Sequence, residues 1–254
     1  MSTPPTSPLL ICGLPCSAFQ NEQEVRQTLV RLIEQGTGGY SVAMNAEKLA
    51  RGRRDPALQD VLKAATLAVP DGFMAVLALR WIHGRRSIKV DLPRCVLTQA
   101  DAAGWRVAIC GGQAEVNQAA IAEITRRYPG IKIVANVDGY QPLEAIRDAI
   151  VESAPDLALL AMGSPRQEKL AHLWHPVLGQ VLIIGCGGAL DILSGRVKRA
   201  PRFFVDNGLE WFYRLVQSPR RIRRQLVLPV ALWQVLVEGV RQRLRPGSPA
   251  NDSI

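Results

Sequence analysis

Six short apolar runs, at residues 40–44, 67–69, 105–110, 131–137, 157–161 and 181–185, alternate with stretches whose apolar residues recur at helical spacing. The runs are too short for buried helices and are apolar on both faces, as strands are when helices cover both sides of a parallel sheet. Helical spacing occupies 46–64, 72–83, 92–103, 114–128, 142–153 and 167–173. This alternation restricts the chain to the α/β class: a Rossmann-like layered domain with a mainly parallel sheet. Reactive groups are then expected at the carboxyl ends of the strands, where the following helices begin.

The pattern changes near residue 200. Residues 208–217 and 222–245 read as helices, rich in arginine and aromatics, with no further strand signal. The expected organisation is an α/β catalytic domain over 1–200, a helical basic C-terminal appendage over 201–245 and a disordered tail over 246–254. Charge divides at the same place. The chain carries 31 Lys and Arg against 22 Asp and Glu, a net of +9, yet residues 196–254 alone hold 12 basic and 4 acidic side chains. A neutral body with a basic attachment fits this better than a coat for nucleic acid.

The five cysteines are odd in number and lack CxxC spacing, which suits a reducing, cytoplasmic compartment. The first residues show no basic segment followed by an apolar run, so no signal peptide is expected. Residues 226–240 are the longest apolar stretch, interrupted by Gln234 and Glu238. A membrane span needs roughly 20 apolar residues, so an in-plane segment is expected instead.

Several chemistries are disfavoured. There is no GxxxxGK[ST], and Gly185-Cys-Gly-Gly-Ala-Leu190 lacks the third glycine of a dinucleotide fingerprint. An NAD(P) oxidoreductase is therefore a weaker alternative. No Asp-x-Asp occurs, and His172 and His175 alone do not make a metal site. No metal and no resident cofactor are expected. A basic RNA-binding module is the other alternative, weakened by the lack of a stacking platform.

What remains is a set of amides, carboxylates and glycines at strand ends. Asp71 follows an apolar run and precedes Gly72 at a helix start; it suits a general base, with an N-cap as the structural alternative. Asn45 and Asp91 carry the same ambiguity. Gln167 falls in a first helical turn, where a capping box with Ser164 is the alternative. Gly111, Gly112, Gly185, Gly187 and Gly188 form turns that let backbone approach an anion.

Taken in order, the stretches Met44-Asn-Ala-Glu-Lys-Leu49, Ala68-Val-Pro-Asp-Gly72, Gly163-Ser-Pro-Arg-Gln-Glu-Lys169, Gly185-Cys-Gly-Gly-Ala-Leu-Asp191 and Ser194-Gly-Arg-Val-Lys-Arg-Ala-Pro-Arg202 form one signature. Gly208-Leu-Glu-Trp-Phe-Tyr-Arg-Leu215 and Pro219-Arg-Arg221 complete it. Together they resemble the WecG/TagA/CpsF glycosyltransferases, family 26, from about residue 8 to about 225. The resemblance implies an inverting, metal-independent transfer from a UDP-sugar to a polyprenyl-diphosphate-linked saccharide. It places the enzyme in bacterial surface or exopolysaccharide synthesis, peripheral on the inner face of the cell membrane.

Carried over by position, the resemblance makes Asp71 the catalytic base. Asn45 and Gln167 become pocket amides, and Arg86 and Asp91 match an Arg-x-x-Gly-x-Asp-Leu stretch. The five glycines would cradle the nucleotide, and Arg214, Arg221 and Arg224 of the appendage would neutralise the departing diphosphate. Ala43 stands where many relatives have Thr, Lys89 where they have Gly, and Ser218-Pro219-Arg220 where they have Glu-Pro-Arg. The basic-apolar-basic order of 220–245 implies docking on an anionic membrane, with a homo-oligomer contact over 226–237 as the alternative.

Overall fold

A computed structural model describes residues 8–198, Pro201, Phe204, Tyr213 and residues 227–244. The chain opens with a hairpin, β1 (Leu9–Ile11) and β2 (Leu14–Cys16), followed by α1 (Glu22–Glu34). Next come β3 (Gly39–Met44), α2 (Ala46–Gly52), α3 (Pro56–Lys63), β4 (Leu67–Pro70), α4 (Phe73–His83) and α5 (Leu92–Ala103). Then follow β5 (Arg106–Gly111), α6 (Ala114–Arg127), β6 (Lys132–Val137), α7 (Leu143–Ser153), β7 (Leu157–Ala161), α8 (Arg166–Leu178), β8 (Leu182–Gly185) and α9 (Ala189–Leu193). A last described helix, α10, covers Leu228–Arg243.

All six expected strands form, in one sheet of order β4-β3-β8-β7-β5-β6 whose pairs are all parallel. Alternate residues of each strand enter opposite cores. In β5, Ala108 and Cys110 face one and Val107 and Ile109 the other; in β7, Leu160 and Leu159 divide likewise. The first core is covered by α2, α3, α4, α7 and α8, the second by α1, α5, α6 and α9. Neighbouring strands β3 and β8 send their following helices, α2 and α9, to opposite faces, and such divergence opens a crevice at the strand ends.

Helix boundaries follow local chemistry. The expected helix over 46–64 is two helices, because Asp55 caps α3 through the Leu58 N–H at 3.0 Å and Pro56 starts it. The 167–173 helix runs on to Leu178, past Pro176. The hairpin and α1 were not among the expected elements; α1 starts at Asn21, whose side chain accepts from the Glu24 N–H at 3.0 Å.

Of the expected appendage, 208–217 lies outside the described residues except Tyr213, and the tail over 246–254 lies outside them entirely. α10 does not stand apart from the α/β body. Its Ala231 and Val235 are wholly buried in the first core. Gly239 lies against Trp81 of α4, where an added Cβ would meet the indole nitrogen at 2.2 Å. The Arg243 guanidinium stacks 3.8 Å from the Trp81 ring centre, a cation–π contact.

All five cysteines are free and buried. Burial pushes the Cys12, Cys110 and Cys186 thiols up to about 12, Cys95 up to about 11, and Cys16 up as well. Thiolate, the reactive form, is then almost absent at neutral pH. A thiol reagent at pH 8 should label none of the five in the folded protein and all of them after denaturation; rapid labelling of the native chain would contradict this burial.

Candidate active site

Because every strand of the sheet runs the same way, the ends of β3, β4, β5, β7 and β8 share one edge. Register aligns Met44 with Pro70, so Asn45 and Asp71 emerge side by side. The Asp71 N–H donates to the Met44 carbonyl at 2.7 Å, which fixes this pairing one residue beyond the strands.

Asp71 is half-buried and is not the N-cap of α4. Gly72 holds that place with φ +106, a conformation that L side chains rarely adopt, and it offers no side-chain cap. The capping alternative for Asp71 therefore fails. The loop leading to Asp91 is pinned to the same edge: the Val90 N–H donates to the Pro70 carbonyl at 2.8 Å and the Ile88 N–H to Phe19 at 2.7 Å. Arg86 lies exposed in that loop. Asp91 caps α5, accepting from the Arg94 N–H at 3.4 Å.

Asn45 caps α2, its Oδ1 accepting from the Lys48 N–H at 3.1 Å. Gln167 does not form the capping box with Ser164. Pro165 occupies the cap of α8, and the Gln167 Oε1 accepts instead from the Gly187 N–H at 3.1 Å. Gly185 packs directly against it: a Cβ there would meet the Gln167 Nε2 at 2.8 Å and the amide would have to move. Gln167 is thus buried and braces the loop after β8.

Two residues next to expected ones complete this brace. The Lys48 ammonium lies 3.1 Å from the Glu168 Oε1 and donates to the Ala43 carbonyl at 2.9 Å. Their side chains are 5% and 2% exposed. Glu168 also accepts from the Gln167 Nε2 at 3.3 Å, while its buried Oε2 meets no hydrogen-bond donor among the described residues. Nothing in the spacing of Lys48 and Glu168, 120 residues apart, foretells the pair; only their placement in first helical turns after strands hints at it.

The glycines at the end of β5 are packed for backbone proximity. Gly111, at φ +123, lies so close to β7 that a Cβ would meet the Ala161 carbonyl oxygen at 2.3 Å. The Gly112 N–H donates to Ala161 at 3.1 Å and the Gly139 N–H to Gly112 at 2.8 Å. The Gly112 and Gly187 amides, expected to face a nucleotide, are thus engaged within the protein. Gly188 is the N-cap of α9. Asn117, buried on α6, joins the ends of β5 and β6 by donating to the Gly111 carbonyl at 2.8 Å and to Val137 at 3.2 Å. It was not singled out from the sequence, although a polar residue on the buried stripe of a helix is the usual sign of such a tie.

Arg214, Arg221 and Arg224 lie outside the described residues. Among the described residues no three His, Cys, Asp or Glu side chains are grouped to hold a metal ion. A hollow of about 330 Å³ lies at the far edge of the sheet, between Ile33, Pro155, Val177 and Val181. Its carboxylate, Asp156, is held by the Arg106 N–H at 2.7 Å.

The edge therefore offers carboxylates, amides and the N-termini of α4, α6 and α8, whose dipoles favour an anion. Comparison with known proteins finds a family and curated relatives. The model of the glycosyl transferase WecG/TagA/CpsF family matches residues 9–245. A Bacillus spizizenii protein named N-acetylglucosaminyldiphosphoundecaprenol N-acetyl-beta-D-mannosaminyltransferase is 34% identical over 208 residues, 80% of this chain and 81% of that protein. A Bacillus subtilis protein of the same name is 31% identical over 224 residues, 87% of this chain and 88% of its own.

The close approach at Gly111 has a measurable consequence. Gly111→Ala forces a strained φ and a clash with β7, and should lower unfolding stability by about 2 kcal/mol or more in urea titrations. Parental stability in that variant would mean that the turn relaxes freely.

Proposed function

The chain belongs to the WecG/TagA/CpsF glycosyl transferase family, and from that premise we propose that it moves a sugar from a UDP-sugar to a polyprenyl-diphosphate-linked saccharide. The relatives' names make an N-acetylglucosaminyl-diphosphate lipid the first acceptor to test and N-acetylmannosamine the first donor sugar. Family membership sets aside the dehydrogenase and RNA-binding alternatives.

The observation that carries the assignment of the base is the position of Asp71 beside Asn45 at the sheet edge, with Gly72 rather than Asp71 serving the helix as cap. In the proposed step, the acceptor hydroxyl oxygen bonds to the anomeric carbon as the bond from that carbon to the diphosphate breaks. The hydroxyl proton passes to the Asp71 carboxylate, and UDP leaves with the bonding electron pair. Attack from the face opposite UDP inverts the anomeric centre. This suits the beta linkage in the relatives' names.

Negative charge on the departing diphosphate is assigned to helix N-termini at this edge and to Arg214, Arg221 and Arg224 of the appendage. Arg86 and Asp91 belong to the loop pinned beside Asp71 and are placed on the sugar or acceptor side. The glycine turns let the nucleotide lie close to backbone, with Gly185 and Gly187 shaped by Gln167.

No described helix is long and apolar enough to cross a membrane. The reading that residues 201–245 dock peripherally on the inner membrane face draws support from α10. Leu232, Leu236, Val240 and Leu244 recur every fourth residue on its exposed side, and Trp233 is 69% exposed. With the net +8 of residues 196–254, this is the composition of an interfacial element on anionic lipid, worth about 1 kcal/mol per basic residue at the surface.

Two measurements test these assignments. Asp71→Asn should leave UDP binding nearly intact while abolishing transfer from UDP-sugar to lipid-linked acceptor, read by mass spectrometry. An active variant removes the base assignment. Replacing the exposed Leu232, Trp233, Leu236 and Val240 by Gln, with the buried Ala231 and Val235 left in place, should release the protein from anionic liposomes, as should high salt in the parent; retention of that variant would reject the membrane role.

A further inference from the structure

A buried ion pair is rarely retained for stability, since removing both charges from water opposes most of their attraction. Lys48 and Glu168 are both nearly inaccessible, and one Glu168 oxygen finds no hydrogen-bond donor among the described residues. The pair therefore calls for a reason other than holding the sheet, which the strand ladders already do.

Its connections supply one. Lys48 sits in the first turn of α2, its N–H bound by Asn45 and its ammonium bound to the Ala43 carbonyl at the end of β3. Glu168 sits in the first turn of α8, beside Gln167, which it holds through Nε2. Gln167 in turn holds the Gly187 N–H in the loop after β8. One continuous path of polar contacts thus runs from the strand end that presents Asn45, next to Asp71, to the glycine loop after β8.

We infer that Lys48 and Glu168 are positioning residues which lock the glycine loop after β8 in register with the Asn45–Asp71 side of the crevice. The inference rests on reading this edge as the transfer site. Neither residue touches substrate in this role. Lys48 fixes Glu168 in place, Glu168 fixes the rotamer of Gln167, and Gln167 fixes the backbone of Gly187. Reaction geometry is sensitive to such settings: a displacement of about 1 Å can lower turnover by about a hundredfold.

The test removes both charges together, so that no lone charge is left buried. Lys48→Met combined with Glu168→Gln keeps side-chain volume and leaves Gln167 an acceptor. Thermal unfolding, hydrogen exchange of the segment around Gly187, and kcat with KM for the UDP-sugar are compared with the parent. The expected result is a melting temperature near that of the parent, faster exchange at Gly187, and a kcat lowered about tenfold to a hundredfold. Glu168→Asp alone, which keeps both charges and draws the carboxylate back from Gln167, serves if the double variant does not fold, with the same direction expected.

A folded variant of either kind whose Gly187 exchange and kcat stay within about twofold of the parent overturns the inference. So does a loss of activity matched by general loss of protection across the sheet, because that marks a purely structural role. If the parent itself transfers no sugar from any UDP donor, the glycosyltransferase reading fails instead, and Gly187 exchange still decides whether the pair governs the loop.

Discussion

Parallel pairing governs the arrangement of everything else in this protein. A strand that runs beside its neighbours in the same direction must return by a crossover, and the crossover helices bury both sheet faces. Each strand must then be apolar on both sides, and each must deliver its carboxyl end to one edge. Asn45, Asp71, Gly111, Gln167 and Gly187 are distant in sequence and brought to one edge for this reason. The backbone bond from Asp71 to Met44 extends the pairing past the last strand residue, so the proposed base inherits the rigidity of the sheet.

Much of the architecture was legible because short continuous apolar runs between stretches of helical spacing are strong signals when both faces of a sheet are buried. Other features were hidden for physical reasons. The opening hairpin has strands of three residues each, too short for alternation to show. α1 is highly polar on its outer side, and Asp55-Pro56 divides a helical pattern whose apolar spacing runs straight through. Within the site, positions of Asn45, Asp71 and Gln167 at strand ends were readable, but their partners were not. Pro165 takes the cap that Ser164 seemed suited for, and this frees Gln167 to turn toward Gly187. Lys48, Glu168 and Asn117 act through contacts between elements, and single-sequence spacing carries no record of those.

The glycines show a related shift in meaning. Read alone, each glycine turn suggests amides aimed at a phosphate. In the fold, Gly111 is small because β7 passes against it, and Gly185 has the Gln167 amide packed over it. Close packing at the strand ends accounts for these residues before any ligand arrives. The surface left to bind the nucleotide is set by how tightly the turns are drawn together, and charge supplied from helix ends and arginines acts on that prepared shape.

The grip of α10 on α4 has a consequence for distance. Trp81 and Arg243 clasp the two helices near the far end of α4, and Asp71 stands two residues before its start. At 1.5 Å per residue, Phe73 to Trp81 spans about 12 Å of rigid helix. With the outer side of α10 resting on a bilayer, as proposed, α4 is a rigid link between the membrane-facing helix and the strand end that carries the base. An acceptor tethered by its lipid would then search for the crevice in two dimensions, at a level fixed by how α10 is clasped to the body.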